Sequence, residues 1–118
     1  MTEYEIRKWK CFDEDTFSFL VKSNSEIKGD MELLNVFINE LDTAGNDVLD
    51  EMERIEKGEL EEGYWGGNIA SATYNKEKAY LEFDFDSPRT CELPTKMLKE
   101  LVEAWVREKA KFDAENKK

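Results

Sequence analysis

Histidine is absent from this 118-residue sequence. With it go the commonest general base at neutral pH, the Ser-His-Asp and Cys-His arrangements of nucleophilic catalysis, and histidine-ligated zinc. Cysteine is scarce. Cys11 and Cys91 are the two thiols and neither belongs to a CxxC pair, a usage that suits a reducing compartment better than a secreted disulfide scaffold. Two small buried or half-buried thiols are expected, with a bridge between them left open. Phosphate-cradling loops are missing as well: Gly66-Gly67-Asn68 precedes a strand pattern and lacks the Lys-Ser or Lys-Thr of a P-loop, and no GxGxxG occurs. Nowhere is there a run of about 18 apolar residues to span a bilayer. Met1 to Lys8 alternates charged and apolar side chains without the unbroken apolar stretch of a secretory signal. The expectation is a cytoplasmic protein with no membrane partner.

What is present is apolar mass and charge in nearly equal measure. Hydrophobic residues make up 40% and charged residues 38%, with a mean hydropathy of -0.73, so a charge-dense surface must enclose one ordinary core. Residues 1–118 read as a single domain. The charged stretch 107–118, with Phe112 as its one large apolar residue, reads as a fraying tail.

Two strands open the chain, Tyr4 to Trp9 and Thr16 to Lys22, around a turn at Asp13-Glu14-Asp15; Phe17, Phe19 and Val21 share one face of the second. The period then changes. Asp30 is placed to cap a helix reaching about Thr43, in which Leu34, Phe37, Ile38 and Leu41 recur at i, i+3, i+4 and i+7. Gly45 should end it, and Asn46 should cap a second helix that buries Val48, Leu49, Met52 and Ile55 until Gly58. A glycine-marked loop, Glu62 to Asn68, leads to a hairpin of Ile69 to Tyr74 and Lys78 to Phe85 around Asn75-Lys76-Glu77. Ser87-Pro88-Arg89 reads as a turn, Thr90 to Leu93 as a brief strand, and Pro94-Thr95 as the start of a helix with Leu98, Leu101, Val102 and Trp105 inward. The order is β-β-α-α-β-β-(β)-α. The fold class is α+β, a mostly antiparallel sheet of four to five strands packed with three helices.

The charge is unevenly spread. The chain carries −11, and residues 30–62 alone hold 12 acidic against 2 basic side chains, a local −10. A strongly negative chain repels nucleic-acid phosphate and attracts cationic surfaces, so the partner expected is a basic protein, with no direct nucleic-acid binding. Glu53, Glu56, Glu59, Glu61 and Glu62 lie toward the C-terminal end of the second helix, where the macrodipole disfavours them, and helix stability alone does not ask for them. Such a run is either a solvated face or a docking surface. Tyr64 and Trp65, between glycines, are candidate anchors beside it, with at least one of the two exposed. The candidate partner-binding set is Asp47, Asp50, Glu51, Glu53, Glu56, Glu59, Glu61, Glu62, Tyr64 and Trp65, with Glu82 and Asp84 from the outward face of the later strand. A carboxylate row of Glu82, Asp84 and Asp86 is the nearest approach to a metal site, but strand spacing of about 7 Å spreads its oxygens. Cys91, two residues from Arg89, would have a slightly acidified thiol and still lack a base. No cofactor, no metal and no enzymatic activity are expected.

The glycine-aromatic segment Gly63-Tyr64-Trp65-Gly66-Gly67-Asn68, the hairpin after it, and Cys91-Glu92-Leu93-Pro94-Thr95 leading into Leu98 to Trp105 resemble small immunity proteins of bacterial polymorphic and contact-dependent growth-inhibition toxin systems, over roughly residues 60 to 106. The resemblance implies a cytoplasmic inhibitor that neutralises a cognate toxin domain, often a basic nuclease, by stoichiometric binding. The other reading of the same charge is a regulatory or adaptor protein, including a DNA mimic that binds a basic nucleic-acid-binding partner.

Overall fold

The computed structural model describes residues 3–83 and 89–115. It is an α+β structure of two antiparallel sheets and three helices, so the fold class read from the sequence holds. A two-stranded hairpin comprises β1 (Tyr4–Cys11) and β2 (Glu14–Val21). The five-stranded sheet is ordered β3-β7-β6-β5-β4, from β3 (Lys28–Gly29), β4 (Glu62–Gly66), β5 (Ala70–Asn75), β6 (Lys78–Phe83) and β7 (Thr90–Pro94). Three helices, α1 (Met31–Glu40), α2 (Gly45–Glu56) and α3 (Thr95–Glu115), cover one face of that sheet. Among the described residues no helix is long and apolar enough to cross a membrane.

Strand alternation builds the core. Ala70, Ala72 and Tyr74 of β5, Ala79 and Leu81 of β6, and Cys91 and Leu93 of β7 all point to the helices and are buried. They meet Leu33, Leu34, Phe37 and Ile38 of α1, Val48, Met52 and Ile55 of α2, and Leu98, Leu101, Val102 and Trp105 of α3. These are the stripes expected from the helical period, except that Leu33 joins the first and Leu49 of the second is only half-buried. The Asp30 carboxylate accepts from the Glu32 and Leu33 amides and caps α1 as expected. Asn75 accepts from the Glu77 and Lys78 amides and closes the β5-β6 hairpin at the expected turn.

Several boundaries differ. The first turn falls one residue early, at Phe12 and Asp13, whose φ values of 51° and 67° give the two-residue hairpin twist that Asn-Gly usually supplies. α1 stops at Glu40, and a single 3-10 turn, Asp42–Ala44, runs directly into α2. Gly45 therefore starts α2 and does not terminate α1; Asn46 is not its cap, since Ala44 occupies that position. A Cβ on Gly45 would stand 2.6 Å from the Val106 side chain, so glycine here lets α2 approach α3. Glu62 to Gly66 is an edge strand, not a loop. The tail expected to fray is helical to Glu115: Phe112 packs on Phe17 with ring centroids 4.7 Å apart, Glu115 pairs with Lys8 at 2.9 Å, and the Arg107 guanidinium donates to the Tyr4 hydroxyl at 3.0 Å. Phe112 lies seven residues beyond Trp105 and so extends its stripe, and the hairpin, which folds back over α3, provides the surface for it. Phe85 and the Ser87-Pro88 turn lie outside the described residues, as do 116–118.

Among the described residues no strand lies along the outer edges of β2 or β4; helix side chains bond there instead. Asn39 of α1 accepts from the Phe19 amide (2.9 Å) and donates to the Phe19 carbonyl (2.8 Å), while Asn35, one turn earlier, accepts from the Val21 amide at 2.7 Å. These two asparagines tie the hairpin to α1. Replacing Asn39 by Ala strands the main chain of fully buried Phe19, and should cost about 2 kcal/mol of stability in urea unfolding; a change below about 0.5 kcal/mol would contradict this role.

Candidate functional site

The acidic residues of the 30–62 segment divide into those the fold uses and those it leaves in solvent. Glu40, at the end of α1, is of the first kind: its carboxylate accepts from the amides of Asn68, Ile69 and Ala70 at 2.9 to 3.1 Å, holding the entry into β5. Glu51 is another. It accepts from the Tyr64 amide at 2.7 Å, on the outer edge of β4, and from the Tyr74 hydroxyl at 2.6 Å. A Cβ at Gly63 would collide with this carboxylate and with the Tyr74 ring, so that glycine makes room for the bond. Glu51, expected among the partner-binding residues, is half-buried and engaged in these two bonds.

Three more of the predicted residues are held in ion pairs. Glu53 meets Lys57 at 3.2 Å, Glu56 meets Lys99 at 2.8 Å, and Glu59 approaches Arg54 at 3.9 Å. All three are exposed pairs, of little consequence for stability, yet each reduces the charge a partner would meet. Asp47, Asp50, Glu61, Glu62 and Glu82 are exposed and have no cationic partner among the described residues. Asp84 lies outside the described residues, as does Asp86.

Three of these acids, Asp47, Glu61 and Glu62, have a defined relation to β4. Asp47 lies one helical turn before Glu51, and the Glu51 bond to the Tyr64 amide sets this side of α2 beside β4. Glu61 and Glu62 lead into that strand. Tyr64 is 60% exposed on the sheet face away from the helices, while Trp65 turns inward, half-buried edge-on against Phe37 with centroids 5.5 Å apart. One of the two aromatics is therefore an exposed side chain and the other packs on the core.

Strand register extends this patch across the open face. Tyr64 stands opposite Thr73, Thr73 opposite Tyr80, and Tyr80 opposite Glu92; in the neighbouring row Gly66, Ser71 and Glu82 align. Tyr80, 46% exposed, is a member of this surface that the charge-based reading left out. Its alternation with Glu82 on the outward face was the signal available in the sequence.

The remaining reactive groups are quiet. Burial pushes the Cys91 thiol up to about 11, with Asp30 adding to the effect. The expected acidification by Arg89 fails because that guanidinium is engaged by Asp30 and by Glu32 (3.1 Å) and lies 4.6 Å over the Phe83 ring. Among the described residues no group of three or more Cys, Asp or Glu is placed to hold a metal ion. No family model, curated protein or solved structure matches the chain.

Burial, then the hydrogen bond to Glu51 and its charge, raises the Tyr74 phenol far above its ordinary value. The unfolded chain releases that proton near pH 10 while the folded protein keeps it, so stability is complete below about pH 10 and declines above it. Tyr74→Phe should flatten that alkaline decline in denaturant midpoints measured from pH 8 to 11; an unchanged slope would show that Tyr74 is not its source.

Proposed function

We propose that this chain is an acidic protein-binding inhibitor that neutralises a basic protein by stoichiometric contact, and that its partner is a nuclease-type toxin domain for which it acts as the cytoplasmic immunity protein. The observation that carries the reading is the occurrence, on α2 and at the start of β4, of exposed acids without cationic partners among the described residues (Asp47, Asp50, Glu61, Glu62), together with an exposed tyrosine on β4. Uncompensated carboxylates keep their field available to steer a cationic partner, and an exposed tyrosine supplies the apolar area that charge alone lacks. The toxin class comes from the resemblance of residues 60–106 to immunity proteins; the cationic character of the partner comes from the −11 net charge.

Affinity capture of the tagged chain from its own cells should recover one basic protein in equimolar amount, whose nucleolytic activity is lost on adding one equivalent of the chain. Asp47→Lys with Asp50→Lys should weaken that complex at least about tenfold and flatten its salt dependence. Tyr64→Ala should raise the dissociation rate at unchanged salt dependence. Recovery of no basic protein, or a complex indifferent to all three substitutions, would overturn the reading.

A further inference from the structure

The hairpin has two long edges and only one of them is occupied. Across it the Lys22 amide donates to the Glu3 carbonyl at 2.9 Å, which sets the alternation: the main chain of Glu5, Arg7 and Trp9 faces β2, and that of Tyr4, Ile6, Lys8 and Lys10 faces outward. The same alternation turns the Phe19 and Val21 main chain out of β2 toward Asn39 and Asn35. No described residue donates to or accepts from the outward amides and carbonyls of β1, and among the described residues β2 alone pairs with it. A strand of 8 residues with a bare edge is a template for another strand.

The side chains on β1 decide which strand. For a second copy, a closed two-fold dimer requires antiparallel pairing with outward main chain against outward main chain, and each such pairing has its axis at one residue of β1. An axis at Cys11 would pair only with the turn; an axis at Tyr4 sets Glu3 against Glu5; at Glu5, Glu5 against Glu5; at Arg7, Arg7 against Arg7; at Lys8, Lys8 against Lys8; at Trp9, Lys8 against Lys10; at Lys10, Lys10 against Lys10. All but the first oppose like charges directly, which destabilises a pair. An axis at Ile6 is the exception. Ile6 meets Ile6, Tyr4 meets Lys8, and Glu5 and Arg7, which pair within each copy at 2.9 Å, face the opposite charge of the other copy twice, at the closely approaching non-hydrogen-bonded positions where cross-strand side chains interact most. Residues 3–11 carry Arg7, Lys8 and Lys10 against Glu3 and Glu5, so the edge is free of the acidic excess found elsewhere in the chain.

We infer that two copies of this chain associate through β1, antiparallel about a two-fold axis at Ile6, joining their hairpins into one four-stranded sheet. About six main-chain hydrogen bonds and two Glu5–Arg7 pairs make a small interface, so the association is weak and concentration-dependent. Lys8 and Lys10 exclude the competing registers by repulsion. This interface is separate from the acidic surface around β4.

The test is the solution mass of the full chain by sedimentation, from about 10 μM to about 1 mM, in about 0.15 M salt to screen the net charge. The mass should rise from 13.8 kDa toward twice that value. Glu5→Arg and Arg7→Glu, taken singly, should each weaken dimerisation at least about tenfold, and the two together should restore it to within about threefold. Lys8→Pro, which removes an outward amide and no bond to β2, should abolish it, with circular dichroism confirming the fold. A monomer at every concentration would overturn the inference and leave the edge to a strand from another protein. A dimer that forms equally well with Glu5→Arg would overturn it too, placing the contact on a different surface.

Discussion

Four side chains on two helices, Asn35, Asn39, Glu40 and Glu51, bond directly to main-chain groups of strands and strand entries, and the placement of the sheets depends on them. A strand edge presents amides and carbonyls that must find partners or water. In this chain helices supply partners where a further strand would otherwise be needed. α1 runs between the hairpin and the sheet: Asn35 and Asn39 reach one, and Glu40 at its end reaches the other. α2 does the same for β4 through Glu51. The aromatic cluster of Tyr4, Phe17, Phe19, Trp105 and Phe112 adds apolar area beneath the hairpin, but stacking rings do not set a register as paired hydrogen bonds do.

This arrangement sorts the acidic residues by use. Glu40 and Glu51 are spent on main-chain amides, and Glu53, Glu56 and Glu59 stand beside basic side chains. Asp47, Asp50, Glu61 and Glu62 remain without such partners among the described residues. The same Glu51 bond that secures the β4 edge sets the Asp47 side of α2 beside the strand whose other face carries Tyr64, so edge capping and the proposed contact surface share one geometric cause. A partner approaching there would meet less charge than the local −10 of residues 30–62 implies, concentrated beside an aromatic.

Much of this fold was legible in the residues. The α1 stripe, the Asp30 cap and the Asn75 turn are local patterns in which spacing and side-chain chemistry agree, and each sits where it was expected. What escaped was tertiary. Glu62 to Gly66 is rich in glycine and becomes a strand because Glu51 and β5 satisfy its two edges. Gly45 is inside a helix because α3 presses on it, a contact no window of sequence contains. Residues 107–115 stay helical because the hairpin at the start of the chain returns to cover Phe112, as the Arg107–Tyr4 contact illustrates. For the site, the acidic excess was visible as composition, whereas which carboxylates the fold consumes was not, since Glu51 and Asp50 differ only in the direction a helix points them.

Amide hydrogen exchange in dilute, monomeric protein measures edge capping most directly. The account predicts that the Phe19, Val21, Tyr64 and Ala70 amides, each donated to a helix side chain, exchange as slowly as amides inside the β5-β6 ladder. The Ile6 and Lys8 amides, on the open edge, should exchange near the rate of unstructured chain. Fast exchange at Phe19, Val21 and Tyr64 would contradict it, because the helices would then not be holding the strands.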